Sequence, residues 1–201
     1  MAQERLKQQL AFLAEIDKMK SIARMNILID RSRQEDDAGH SWHMAMCALV
    51  LFEHAKEPDL DLLKILKMCL VHDLVEIYAG DTYCYDQVGN QSKAEREIAS
   101  ADRLFAQLPL EQGSEFRALW EEFDAMETKE GMYAAAVDRF QPFLLNYHTD
   151  GHTWQFADVK VENLLWRLDP VQYALPALWE TLMEMIEDCK RRNLISERDK
   201  E

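Results

Sequence analysis

A histidine and an aspartate stand side by side inside an apolar stretch of this chain. The stretch runs from Cys69 to Ile77, and His72 and Asp73 interrupt it. Its hydrophobicity predicts a buried helix. An imidazole and a carboxylate are costly to bury unless a partner compensates them. A metal ion is such a partner, so the stretch predicts a helix of the core that carries part of a metal site.

Helical patterns dominate the rest of the chain. Six glycines and five prolines among 201 residues disfavour a turn-rich β fold, and no segment shows the alternation typical of a strand. We therefore predict an all-α fold, with residues 26–39 as a loop and residues 80–91 as an irregular segment. Helices are expected at about 6–20, 40–54, 60–71 with a possible extension to 76, 93–108, 116–126, 131–147, 159–168 and 171–192. Pro142 is expected to kink its helix near Asp138.

Length and charge limit the class of protein. The chain is long enough for a sizeable core, and we predict a single domain over residues 1–201, with its core at about 13–166, a C-terminal helix at about 171–192 and a frayed tail after Ser196. A net charge of −14 argues against binding to nucleic acid or to anionic membranes. Charges interrupt the longest apolar stretches, so no transmembrane helix is expected. The N-terminal residues lack the apolar core of a signal peptide, and the cysteines have no metal-finger spacing, which together favour a cytoplasmic location.

Two more residues complete a set of metal ligands. His40 precedes the His-Asp pair, and Asp138 follows it. With His72 and Asp73 they offer imidazole nitrogens and carboxylate oxygens from segments that are predicted to be helical. Such a mixed set suits a divalent cation of intermediate hardness. We predict one divalent ion per chain, with Mn, Co, Mg, Fe, Ni and Zn as candidates.

The order of these four residues resembles the signature of the HD-domain metal-dependent phosphohydrolases. The resemblance covers roughly Leu13 to Trp166 and is closest to the branch that contains the bacterial 5'-deoxynucleotidases and the eukaryotic HD-domain-containing protein 2. Five motifs carry it: His40-Ser41-Trp42 followed by Met44-Ala45, His72 to Glu76, Gly80-Asp81, Leu119 to Phe123, and Asp138 to Pro142. It implies a helical bundle of the HD type. Dinuclear members use further histidines before the last aspartate, and residues 74–137 contain none, which favours a mononuclear site.

Two acidic residues are candidates for catalysis. Glu76 comes one helical turn after His72, so both can project from one face. A carboxylate there can accept a proton from a metal-bound water, and the resemblance assigns this role to Glu76. The alternative is that Glu76 only orients His72. The resemblance places Asp81 near the substrate sugar and the attacking water, whereas its position after Gly80 also suits a residue that ends a helix.

Basic residues upstream of His40 are candidates for substrate binding. By the same resemblance, Arg24 aligns with an arginine that binds the substrate phosphate, a role that suits its planar, paired donors. Arg33 or Arg31 would assist it. Met25 stands where the deoxy-selective members have tryptophan, so the preference between ribose and deoxyribose stays open.

The resemblance and the residues together predict an enzyme. The leading hypothesis is a metal-dependent phosphoric monoester hydrolase of the 5'-nucleotidase type, which acts on (deoxy)nucleoside 5'-monophosphates. One alternative is a related hydrolase of a nucleoside di- or triphosphate, a cyclic nucleotide or a sugar phosphate. The other is a non-catalytic scaffold that binds a metal or a nucleotide and regulates a partner. The resemblance also implies a homodimer.

Overall fold

Helices form most of the structure, a computed structural model that describes residues 2–196. The predicted class of a mainly helical fold is confirmed. The α-helices are α1 (Ala2–Glu15), α2 (Asp37–Val50), α3 (Leu62–Val71), α4 (Glu76–Ala79), α5 (Lys93–Phe105), α6 (Leu110–Ala125), α7 (Lys129–His148), α8 (Val161–Ala174) and α9 (Pro176–Arg191). The tail predicted after Ser196 lies outside the described residues.

A short antiparallel ribbon replaces part of the predicted loop before His40. Strand β1 (Ala23–Ile27) pairs with β2 (Gln34–Asp36), with an irregular register between its ends. The expectation that the chain has no strand is therefore wrong for these residues. A strand of three polar residues is too short to display alternation, so the sequence pattern does not reveal it. The ribbon matters for function because it brings Arg24 next to the start of α2.

Helix α2 begins before the predicted position, because Asp36 caps it. The Asp36 side chain accepts a hydrogen bond from the backbone N–H of Gly39 at 2.7 Å. This is the usual role of an aspartate at a helix N-terminus. His40 consequently lies in the first turn of α2, facing the interior.

Helix α3 ends at the His-Asp pair. After Val71 the chain tightens into a turn. The N–H of Leu74 donates to the Val71 carbonyl, and the N–H of Glu76 donates to the Asp73 carbonyl. Helix α4 begins directly afterwards at Glu76. The sequence left open whether the helix continues, and the turn shows that it is interrupted where the predicted ligands lie.

The C-terminal helices differ from the predicted ones. Helix α8 continues through Pro170 to Ala174, beyond the predicted end at Leu168, and α9 starts only at Pro176. Proline fits the first turn of a helix, where no intrahelical partner needs its missing N–H. Helix α7 likewise continues through Pro142, so that residue does not end it.

Helix α7 passes through the core and positions the site. It packs against α2, α3, α6 and α8. Its buried face includes Tyr133, Val137 and Phe143, and the same face carries Asp138. A second apolar cluster forms around Phe12 and Leu104. Among the described residues, none of the helices is long and apolar enough to cross a lipid bilayer.

Candidate metal centre

The four predicted ligands meet at one buried point. His40 Nε2 lies 3.1 Å from Asp138 Oδ1 and 3.6 Å from Asp73 Oδ2. His72 Nε2 lies 3.1 Å from Asp73 Oδ2 and 3.6 Å from Asp138 Oδ1. Two imidazole nitrogens thus face two carboxylate oxygens, and α2, α7 and the turn after α3 supply them.

Hydrogen bonds at the far side of each ring select the tautomer that a metal requires. His72 Nδ1 lies 3.0 Å from the Cys69 carbonyl, which can only accept, so Nδ1 carries the proton. Gln141 Nε2 donates to Glu35 Oε1 at 2.6 Å, which turns Gln141 Oε1 toward His40 Nδ1 at 2.8 Å. That nitrogen must therefore donate as well. Each ring in its neutral form would therefore keep the lone pair on Nε2, and both Nε2 atoms point at the carboxylates.

The donor set fits a divalent cation. Ligand atoms on an ion with bonds of about 2.0–2.2 Å lie roughly 3.0–3.5 Å apart at tetrahedral or octahedral angles. The four separations are 3.1 to 3.6 Å. In addition, His72 Nε2 is buried and makes no hydrogen bond. A buried nitrogen without a partner is costly, and a metal ion would satisfy it.

The local charges hold the carboxylates in their ionised form. Burial alone raises the pKa of Asp138, but the neighbouring imidazoles of His40 and His72 and the charge of Arg167 outweigh burial and hold it well below its usual value. The pKa of Asp73 is lowered in the same way by His72 and Arg24. Ionised carboxylates are the form that ligates metal.

Arg24 reaches the centre from strand β1. Its guanidinium donates to Asp73 Oδ2 at 2.9 Å and to Asp37 Oδ1 at 3.2 Å, and Asp81 Oδ1 lies 3.8 Å away. The structure therefore brings Arg24 and Asp81 to the predicted ligands. It does not bring the other predicted arginine there: exposed Arg33 pairs with Asp36 and lies outside the cavity.

Glu76 is buried beside the ligands, with 4% of its surface exposed. Its Oε2 has no hydrogen-bond partner. Burial raises its pKa well above the usual value, and the charges of Asp73 and Asp37 add to that effect. A carboxylate with a raised pKa and an oxygen free of hydrogen bonds, next to a metal site, suits proton transfer.

Several residues of the site are absent from the sequence prediction. Asp37 is fully buried. One carboxylate oxygen from each of Asp37, Asp73 and Glu76 lies within 4.8 Å of the other two. Burial, followed by the charge of Asp73, raises the pKa of Asp37 to about 6. The only sequence signal for Asp37 is its place three residues before His40 in an acidic run, a pattern that a solvated helix start also produces. Gln141 and Arg167 have no distinctive sequence signal.

The centre opens into a cavity of about 240 Å³. Acidic, basic and aromatic side chains line it together, which suits an anionic organic ligand better than an apolar one. They include Arg24, Met25, Asp81, Tyr83, Tyr85, Lys93, Arg139, Trp166 and Arg167.

Replacing Gln141 with leucine should weaken metal binding by about 10–100-fold, the usual effect of removing a group that orients a ligating histidine. Leucine has similar volume but cannot accept the proton of His40 Nδ1. Metal affinity is measured by competition with a chromophoric chelator. Gln112→Leu on α6, a half-buried glutamine that pairs with Gln9 instead of a histidine, is the matched control, and equal affinities in the two variants would contradict the orienting role.

Fold and site together define a helical protein with a buried histidine–aspartate centre for a divalent metal. The family model of the HD domain matches residues 16–179, and the chain belongs to this family. A predicted metal-dependent phosphohydrolase from Magnetospirillum magnetotacticum has a similar crystal structure, with a TM-score of 0.91, 39% identity and 96% of each chain covered.

Curated relatives are more distant. The chain is 32% identical over 119 residues to 5'-deoxynucleotidase HDDC2 of Dictyostelium discoideum, over 56% of this chain and 62% of the relative. It is 26% identical over 136 residues to 5'-deoxynucleotidase HDDC2 of Homo sapiens, over 67% of this chain and 65% of the relative. The matches thus span less than two thirds of either relative's length.

Proposed function

We propose that this protein is a metal-dependent phosphohydrolase that removes the phosphate from (deoxy)nucleoside 5'-monophosphates. The observation that carries the proposal is the pair of imidazole Nε2 atoms, oriented by the hydrogen bonds of the rings toward two carboxylates, beside buried Glu76 in a cavity lined by acidic, basic and aromatic side chains. The names of the curated relatives support the substrate class.

Each residue has a distinct role in the proposed reaction. His40, His72, Asp73 and Asp138 would hold one divalent ion, which when bound supplies charge stabilisation and an acidic water. Glu76 accepts the proton from the attacking water. Arg24 donates hydrogen bonds to the phosphate. Asp81, whose Oδ1 lies 3.8 Å from the Arg24 guanidinium, holds that arginine in place. The water oxygen bonds to the phosphorus as the ester phosphorus–oxygen bond breaks, the leaving oxygen takes the proton that Glu76 accepted, and the nucleoside and inorganic phosphate leave.

Turnover by metal-stripped protein tests the proposal. Mn, Co, Mg and Zn are added back in turn, and phosphate release is measured with 5'-ribo- and 5'-deoxyribonucleoside mono- and triphosphates. We expect metal-dependent release from the monophosphates, and the ratio of deoxyribose to ribose substrates measures the consequence of Met25 in the cavity wall. Tight binding of one ion per chain without release from any monophosphate would refute the nucleotidase function.

We also propose that the chain forms a homodimer. Its support is a charge-free stripe on α2: after Asp37 the helix carries no acidic or basic residue other than histidine, and its exposed residues are all apolar. These are Trp42, Met46, Leu49 and Val50. Their spacing places them on one face, and exposed apolar faces of this kind are typical of interfaces. Light scattering over a range of concentrations measures the state, and a monomer throughout would refute it.

We further propose that the protein is cytoplasmic and that it folds as a single domain. A cytoplasmic location is supported by the four cysteines, all of which are thiols in the structure, and cell fractionation tests it. A single domain is supported by the packing of α7 against α2 and α3 from the first half of the chain and against α6 and α8 from the second. One cooperative unfolding transition would be its signature.

A further inference from the structure

Two arginines lie near each other on the wall that α7 and α8 form. Arg139 follows Asp138 on α7, Arg167 lies on α8, and both line the cavity. The pKa of Arg139 is lowered by burial and then by the positive charge of Arg167, in keeping with their proximity. Two like charges in a partly buried wall repel each other, so this arrangement favours an anion between or in front of them.

The side chains around the two arginines leave donors available. Arg167 Nη2 donates to Asp138 Oδ2 at 3.3 Å, the oxygen that faces away from the histidines. Arg139 Nη2 contacts Met126 Sδ at 3.1 Å. Within residues 2–196, no carboxylate oxygen lies within 4.0 Å of a nitrogen of the Arg139 guanidinium. Among the described residues, Asp138 is thus the one close acidic partner of this pair; it contacts Arg167 alone, and two histidines already share it.

Arg24 is in the opposite situation. Four carboxylates lie within 4.0 Å of its guanidinium, from Asp37, Asp73, Asp81 and Glu35. Arg24 borders Asp73 and the Glu76 side of the centre, whereas the Arg139–Arg167 pair borders Asp138. The arginines of the cavity therefore occupy two separate positions, and the position with fewer acidic partners borders Asp138 rather than Asp73.

We propose that Arg139 and Arg167 form an anion subsite for a second phosphate group of the substrate. The preferred substrate would then be a phosphate monoester that carries another phosphate, such as a nucleoside bisphosphate. Guanidinium groups suit this ligand because their paired donors match phosphate oxygens. In the reaction, water adds to the phosphorus at the metal centre, the ester oxygen leaves with a proton, and the second phosphate stays on the product. This inference rests on the proposed function.

The test compares two substrates that differ only in the second phosphate. We measure kcat/KM for a nucleoside 5'-monophosphate and for the 3',5'-bisphosphate of the same nucleoside, and express preference as their ratio. The unmodified enzyme should favour the bisphosphate by about tenfold or more, the value of a charged hydrogen bond or two. Arg139→Gln should reduce the ratio toward one, and Arg139→Lys should restore part of it. Arg191→Gln, on exposed α9 surface, is the charge-matched control.

Two outcomes of this assay would overturn the subsite. The first is an unmodified enzyme that shows no preference for the bisphosphate. The second is an equal loss of kcat/KM for both substrates in Arg139→Gln, because the arginine would then act on the scissile phosphate or on the fold. Absence of turnover with either substrate would refute the proposed function instead. In that case calorimetric titration of both nucleotides decides: tighter binding of the bisphosphate that Arg139→Gln abolishes supports the subsite, and equal binding refutes it.

Discussion

His72→Ala is expected to lose the metal ion and at least about a thousandfold in phosphate release. A metal contributes several kcal/mol to the stabilisation of charge in such a reaction, and about 4 kcal/mol corresponds to roughly a thousandfold in rate. His72 Nε2 is buried, has no hydrogen-bond partner, and faces Asp73 and Asp138. Without it, the remaining donors are two carboxylates and His40. Bound metal is measured by mass spectrometry of the dialysed protein, and phosphate release by a colorimetric assay.

A control and a second variant separate loss of metal from loss of structure. His54→Ala changes an exposed histidine after α2 and should leave metal content and activity as they are. The His72 ring also packs on Phe123, with centroids 4.7 Å apart, so its removal can lower the free energy of unfolding. Asp138→Asn keeps the volume of its site and should lose metal as well. A folded His72→Ala protein that retains metal and activity would contradict the proposed centre.

The helices and the four ligands were predictable because the sequence displays them directly. Helical periodicity marks a segment over many residues, so its presence is robust even when its ends shift. The His-Asp pair interrupts a long apolar run, and burial of both groups demands a partner. The order of His40, His72, Asp73 and Asp138 then points to a single site, and the structure brings all four together.

Other parts of the site depend on tertiary contacts, which local pattern does not encode. Gln141 acts through a hydrogen bond to His40, across 101 positions of sequence. The ribbon at residues 23–36 is too short to show a period, yet it delivers Arg24 to the ligands. Local spacing can also mislead: Leu6, Leu10 and Leu13 are spaced as one face of α1, yet they are 53%, 56% and 59% exposed, and Phe12 is the residue that packs inward.

The Glu76→Gln substitution is expected to lower kcat by about 10²–10⁴-fold, the usual contribution of a positioned acid or base, while the metal stays bound. Glutamine has the shape of glutamate but cannot take the proton of the attacking water. Glu76 is not one of the four residues that face one another at the centre, so its amide variant should retain one ion per chain. Glu53→Gln, on an exposed residue after α2, is the isosteric control and should keep full activity.

The pH dependence distinguishes a base from an orienting residue. Burial and the neighbouring carboxylates raise the pKa of Glu76 well above its usual value. A general base acts only when ionised, so kcat of the unmodified enzyme should fall as the pH drops through this pKa. This fall is the acidic limb of the pH profile, and the bound cation would move it to lower pH. The limb should vanish in Glu76→Gln, whose residual rate has no group to protonate there. If Glu76 only orients His72, Glu76→Gln would instead bind metal more weakly. Once saturated with metal, that variant would still show the acidic limb, and this result would rule out Glu76 as the base.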